Sequence, residues 1–122
     1  MSQIIRLSDV YHNPDSDVDD VAFTTTCAGA VLVIPITHLY VAKTTGGAEA
    51  CTLANGKPGQ LLVLNLTAQS GAVTLTPATM TGFATVVLTA NGDAVVLLYI
   101  DDTVGWIILG LYGAAATPVV SV

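Results

Sequence analysis

The chain has 122 residues, of which 52% are hydrophobic and only 10% charged, with a net charge of −6. That length fits one domain with a core of its own, and the apolar fraction excludes intrinsic disorder. Charge density is less than half the roughly 25% of an ordinary soluble domain, so much of the uncharged surface is expected to meet another protein chain. Arg6, Lys43 and Lys57 are the only cations, too few for a nucleic-acid or anionic-lipid surface.

Residues 1–20 form the first segment. They hold Asp9, Asp15, Asp17, Asp19 and Asp20, five of the nine acidic side chains. Arg6 and Asp9 interrupt any apolar run that could serve as a signal peptide. This stretch reads as an extended, acidic N-terminal arm, with Ile4, Ile5 and Leu7 as apolar anchors for a neighbouring chain. Within it, Asn13-Pro14-Asp15-Ser16-Asp17-Val18-Asp19-Asp20 resembles the start of a calcium loop. That loop needs Gly at its sixth position and Glu at its twelfth. Counting from Asp15 finds Asp20 and Thr26 there, and counting from Asn13 finds Val18 and Thr24. A solvated acidic turn is therefore expected, with no metal.

Residues 21–122 read as a single β domain. β-Branched runs closed by Gly, Asn, Pro or Asp recur, and no segment sustains helical periodicity. The pattern predicts strands at 21–26, 30–34, 38–43, 48–53, 60–66, 72–76, 84–89, 94–100 and 105–111. Short strands about ten residues apart imply an all-β fold: an antiparallel β-sandwich, or a jelly roll or barrel, of about 8–10 strands. In 72–76 the alternation of Val73 and Leu75 with Thr74 and Thr76 predicts a half-buried strand. By contrast, 61–64, 95–100 and 106–109 are apolar on both faces, so both faces are expected to be covered, one of them by another subunit. Residues 103–122 carry no charge, yet Gly105, Gly110, Gly113 and Pro118 break them up. A membrane span, which needs about 18 or more apolar residues in succession, is not expected.

Residues that could carry chemistry are sparse. Cys27 and Cys51 lack the spacing and the histidines of a zinc site; small core residues and a disulfide between neighbouring strands both stay open. His12 and His38 have no nucleophile in a recognisable setting, and a locally hydrogen-bonded or interfacial His38 is favoured over a general base. Asp101-Asp102 and Asn91-Gly92-Asp93 are turn residues. No phosphate cradle or cofactor motif is present, so neither an enzyme nor a cofactor is expected. Tyr99, Trp106 and Tyr112 cluster near the last two predicted strands, and with Ile4, Ile5 and Leu7 they are the candidate interface residues. Trp106 reads as a core or subunit-interface anchor rather than a ligand platform.

From Thr37 to Gly110 the turns follow a recognisable order. Gly56-Lys57-Pro58-Gly59-Gln60 makes a GxxGQ turn and Thr74-Leu75-Thr76-Pro77 a TLTP strand end. Gly92-Asp93-Ala94-Val95 begins a GDxVxL hairpin, and Gly105-Trp106 leads the last predicted strand. This order resembles bacteriophage head decoration (cement) proteins of the small trimeric all-β type and their fibre-like relatives. The resemblance implies a homotrimer on the outside of a phage head, made in the host cytoplasm. Its partners would be itself and the major capsid protein, which it braces, with no nucleic acid and no membrane. The alternative is a tail-fibre or receptor-binding tip domain that recognises host surface glycans.

Overall fold

A computed structural model of the chain describes residues 23–29, 31–113 and 117–122. Among them are ten strands and no helix: β1 (Thr24–Cys27), β2 (Val33–Ile34), β3 (Tyr40–Thr44), β4 (Glu49–Leu53), β5 (Leu61–Ala68), β6 (Val73–Pro77), β7 (Thr85–Leu88), β8 (Ala94–Tyr99), β9 (Trp106–Tyr112) and β10 (Val119–Ser121). They form two five-stranded sheets, ordered β1-β3-β5-β8-β9 and β10-β7-β6-β4-β2. The expected all-β sandwich is therefore present, and it is not closed into a barrel. All nine predicted strands are found. β10 is the strand that the sequence pattern did not reveal, because Val119–Ser121 is too short to show a period.

The pairing is where expectation and structure differ. The sheets are mixed rather than antiparallel: β1, β3 and β5 run parallel in the first sheet, and β2, β4 and β6 run parallel in the second. Up to β6 the chain alternates between sheets, so β1/β2, β3/β4 and β5/β6 are successive two-stranded rungs of a short solenoid. The chain then doubles back: β7 pairs antiparallel with β6, β8 with β5, β9 with β8 and β10 with β7. Turn residues predict a reversal but not its kind. A hairpin returns the strand beside its predecessor, whereas an arch returns it opposite, side chain to side chain, and both use Gly, Asn and Ser.

Stacked arches hold the solenoid part together. Residues 45–48 join β3 to β4, and residues 69–72 join β5 to β6 directly beside them. Thr45 N donates to Ala68 O at 3.0 Å, Ser70 N to Thr45 O at 3.1 Å, and Glu49 N to Ala72 O at 2.9 Å. The side chain joins in, with Thr45 Oγ1 donating to Gly71 O at 2.9 Å. This stacking demands glycine at 71, where a Cβ would lie 2.2 Å from the carbonyl carbon of Gly47.

Inward side chains alternate along each strand and fill one core. Leu62, Leu64 and Leu66 of β5 and Val95, Leu97 and Tyr99 of β8 face Val73 and Leu75 of β6 and Val86 and Leu88 of β7. Each such aliphatic side chain contributes about 1.5–3 kcal/mol by leaving water.

Candidate functional site

The outward positions of the first sheet make one uncharged face. Strict alternation turns Tyr40 and Ala42 of β3, Leu61, Val63 and Asn65 of β5, and Val96 and Leu98 of β8 away from the core. Cross-strand register sets them in rows. Leu61 lies beside Leu98, and Leu98 beside Ile107; Tyr40 lies beside Val63, Val63 beside Val96, and Val96 beside Gly110. A bulge between Val96 and Leu97 leaves Leu109 outside the register and brings Gly110 and Tyr112 to the outer face. Tyr112 then lies across Gly110, where a Cβ would stand 2.6 Å from the tyrosine hydroxyl. Asn65 Nδ2 donates to Tyr40 Oη at 2.7 Å, so the most polar group on this face is turned into it. Four strands at about 4.8 Å spacing and about six residues of length give roughly 400 Å², the size of the largest apolar patch on a typical monomer, which is often functional.

The opposite outer face is also uncharged and mixes small and hydroxyl side chains, Ala50, Thr52, Thr74, Thr76 and Thr85, with the valines Val33, Val87 and Val119. A shallow groove of about 370 Å³ at one end is lined by Val33, Thr52, Ala54, Thr76 and Pro77 among others, none of them ionisable. Among the described residues, charge is confined to loops and interior. Lys57, Asp101 and Asp102 are exposed loop residues, while Lys43 and Asp93 are buried.

The sequence-predicted anchors divide three ways. Tyr112 is 58% exposed and lies on the uncharged face. Tyr99 and Trp106 are corrected as interface candidates: both are wholly buried in the core of this single chain, leaving no surface for a neighbour or a sugar. Their rings meet edge to face with centroids 5.2 Å apart. Trp106 Nε1 donates to Ala54 O at 3.0 Å, and Tyr99 Oη donates to Asp102 Oδ1. Burial first, and the Asp102 hydrogen bond second, push the Tyr99 hydroxyl up to about 12. Ile4, Ile5 and Leu7, together with His12 and the acidic turn, lie outside the described residues. Leu61, Val96, Leu98 and Ile107 were legible as runs apolar on both faces but not as members of one surface, because that needs the pairing register.

The recurring turn motifs all serve structure. Gln60 Oε1 accepts from Lys57 N at 2.9 Å while its Nε2 donates to Ile36 O, tying the GxxGQ turn to the loop before β3. Asp93 Oδ2 accepts from Thr89 N at 3.0 Å and Ala90 N at 3.1 Å, while its Oδ1 is buried without a partner. Gly105 has φ +74°, and a Cβ there would sit 2.2 Å from Thr79 O.

Of the titratable groups inside, Lys43 and Glu49 form an ion pair at 2.6 Å. Cys27 and Cys51 are free, buried thiols. Burial raises both thiol pKa values, partly offset by the Lys43 ammonium. His38 shares a 3.0 Å hydrogen bond with Thr37 Oγ1. Among the described residues no three His, Cys, Asp or Glu side chains gather as metal ligands, and no helix is long and apolar enough to cross a membrane. No protein-family model matches the chain, and no curated protein matches it either.

Proposed function

We propose that this chain is a structural virion protein, a capsid decoration protein that binds the outer surface of a phage head as a homotrimer and stabilises it. The observation that carries the reading is the outer face of the first sheet, where Leu61, Leu98 and Ile107 form one row and Tyr112 lies further along the same uncharged face. Copies of net charge −6 repel one another, and an uncharged face is where they approach at least electrostatic cost. Burying the apolar part of this face would contribute roughly 25 cal/mol per Å² before association costs. The trimer, the major capsid protein as partner and the capsid exterior come from the resemblance of the turn motifs. Burial of Trp106 leaves Tyr112 as the aromatic on this face that the glycan-binding alternative would have to use.

Light scattering on the purified chain, followed by addition to undecorated heads, tests this. A trimer that saturates many equivalent capsid sites, with Leu98→Glu losing both properties while keeping the β circular-dichroism spectrum, is the expected result. A monomer at micromolar concentration, or heads that stay bare, overturns it.

A further inference from the structure

Asn-Gly occurs twice in the chain, at positions 55–56 and 91–92. This dipeptide is chemically labile, because glycine has no Cβ and leaves its backbone nitrogen unhindered beside the preceding side-chain amide. Both asparagines are exposed loop residues, yet the fold treats them differently. Asn91 Oδ1 accepts from Gln69 N at 2.9 Å, and Gly92 N donates to Leu66 O at 2.7 Å. Both reacting groups of that pair are held. Among the described residues, the Asn55 side-chain amide and the Gly56 nitrogen have no hydrogen-bond partner. Position 56 also has to be glycine. Its φ is not positive, but a Cβ there would stand 2.4 Å from Gln60 Oε1 and 3.1 Å from Trp106 Cζ2. The packing that demands glycine thus leaves Asn55 beside its least hindered neighbour.

We infer that Asn55 is a site of spontaneous deamidation, and that its isoaspartyl product loosens the loop that packs on Trp106. The Gly56 amide nitrogen gives its proton to solvent base and attacks Asn55 Cγ. The new N–Cγ bond closes a five-membered succinimide while the Cγ–Nδ2 bond breaks, and Nδ2 takes a proton from water and leaves as ammonia. Water then opens the ring. Opening at Cγ gives aspartate; opening at the backbone carbonyl carbon gives isoaspartate, whose main chain runs through Cγ. Either product adds one negative charge to a chain of net charge −6. Isoaspartate also lengthens by one atom the link between two residues that Trp106 holds. Ala54 O accepts from Trp106 Nε1 at 3.0 Å, and Gly56 lies against the same indole.

Incubation of the folded full chain at mildly alkaline pH, followed by mass spectrometry of its chymotryptic peptides, tests this. The peptide holding Asn55 gains about 1 Da, as a mixture of aspartate and isoaspartate. It does so about tenfold or more faster than the peptide holding Asn91, which must first break two hydrogen bonds. Denaturant releases both asparagines, and the difference disappears. Asn55→Gln, whose extra methylene disfavours the ring, removes the product. The separated isoaspartyl form melts below Asn55→Asp, which carries the same charge on a main chain of ordinary length. An Asn55 that stays intact in the folded chain, equal folded-state rates at the two sites, a difference that persists in denaturant, or aspartate without isoaspartate overturns the site. Equal melting of the isoaspartyl form and Asn55→Asp overturns the effect on Trp106.

Discussion

The ammonium of Lys43 lies 2.6 Å from Oε1 of Glu49 inside the sandwich, with the lysine side chain fully buried. Its other two donors reach Gly29 O at 2.8 Å and Thr44 O at 3.2 Å, so all three are satisfied. The pair spans the arch between β3 and β4 and holds the carbonyl of the preceding arch. In the next rung the same two places belong to Leu66 and Val73, which pair in register with Lys43 and Glu49. One rung thus closes its arch with charge, and its neighbour with apolar packing.

Removing one partner strands the other charge in the core. Lys43→Ala and Glu49→Ala are each expected to cost about 3–5 kcal/mol in denaturant unfolding. Lys43→Leu with Glu49→Val copies the neighbouring rung and should unfold at or above the unaltered midpoint. A double variant as weak as the single ones would show that the pair holds the Gly29 arch in a way packing cannot replace.

Stability should fall in strong base. Tyr99 is held neutral in the folded state, with its pKa raised from 10.0 to about 12 by burial and by Asp102. Because the folded value lies above the unfolded one, its contribution is complete below about pH 10 and is lost as pH rises towards 12. Denaturation midpoints measured between pH 9 and 12 should show this slope, with Tyr99→Phe flattening it.

Gly71 and Gly46 sit in neighbouring arches yet should respond oppositely to alanine. Neither has a positive φ, but a Cβ on Gly71 meets the Gly47 backbone at 2.2 Å, while one on Gly46 meets nothing within 4 Å. Gly71→Ala should cost about 1–3 kcal/mol or more by forcing the arches apart. Gly46→Ala should be neutral or stabilise by up to about 1 kcal/mol, by restricting the unfolded chain. Paired melting curves separate the two.

Trp106 is the single tryptophan of the chain and reports on its own burial. Its fluorescence should be shielded from a soluble quencher at every protein concentration, since the shielding comes from one chain. Shielding that appears only as concentration rises would return it to an interface. Trp106→Ala should cost about 3–5 kcal/mol through the cavity it leaves.

Cys27 and Cys51 should resist thiol reagents in the folded protein and react together on unfolding. Burial raises both pKa values, so the reactive thiolate is scarce as well as shielded. Labelling of either in native buffer at the rate of a free thiol would contradict the packing.

Much of this protein was determined by local chemistry and so was legible in the sequence. Val73 and Leu75 alternating with Thr74 and Thr76 make a one-sided strand wherever they fold. Gly59, Gly92 and Gly105, all at positive φ, mark turns that side chains resist. The uncharged runs around Leu61, Leu98 and Ile107 were visible too, as strands with two covered faces. Only the tertiary structure decided which strands became neighbours. A turn such as Thr45-Gly46-Gly47-Ala48 closes a hairpin or an arch equally well, and the choice rests on core contacts between residues far apart in the chain. That choice made half of each sheet parallel, joined Leu61, Leu98 and Ile107 into one face, and buried Trp106 under Ala54. The same long-range packing left Tyr112, rather than Trp106, exposed on that face.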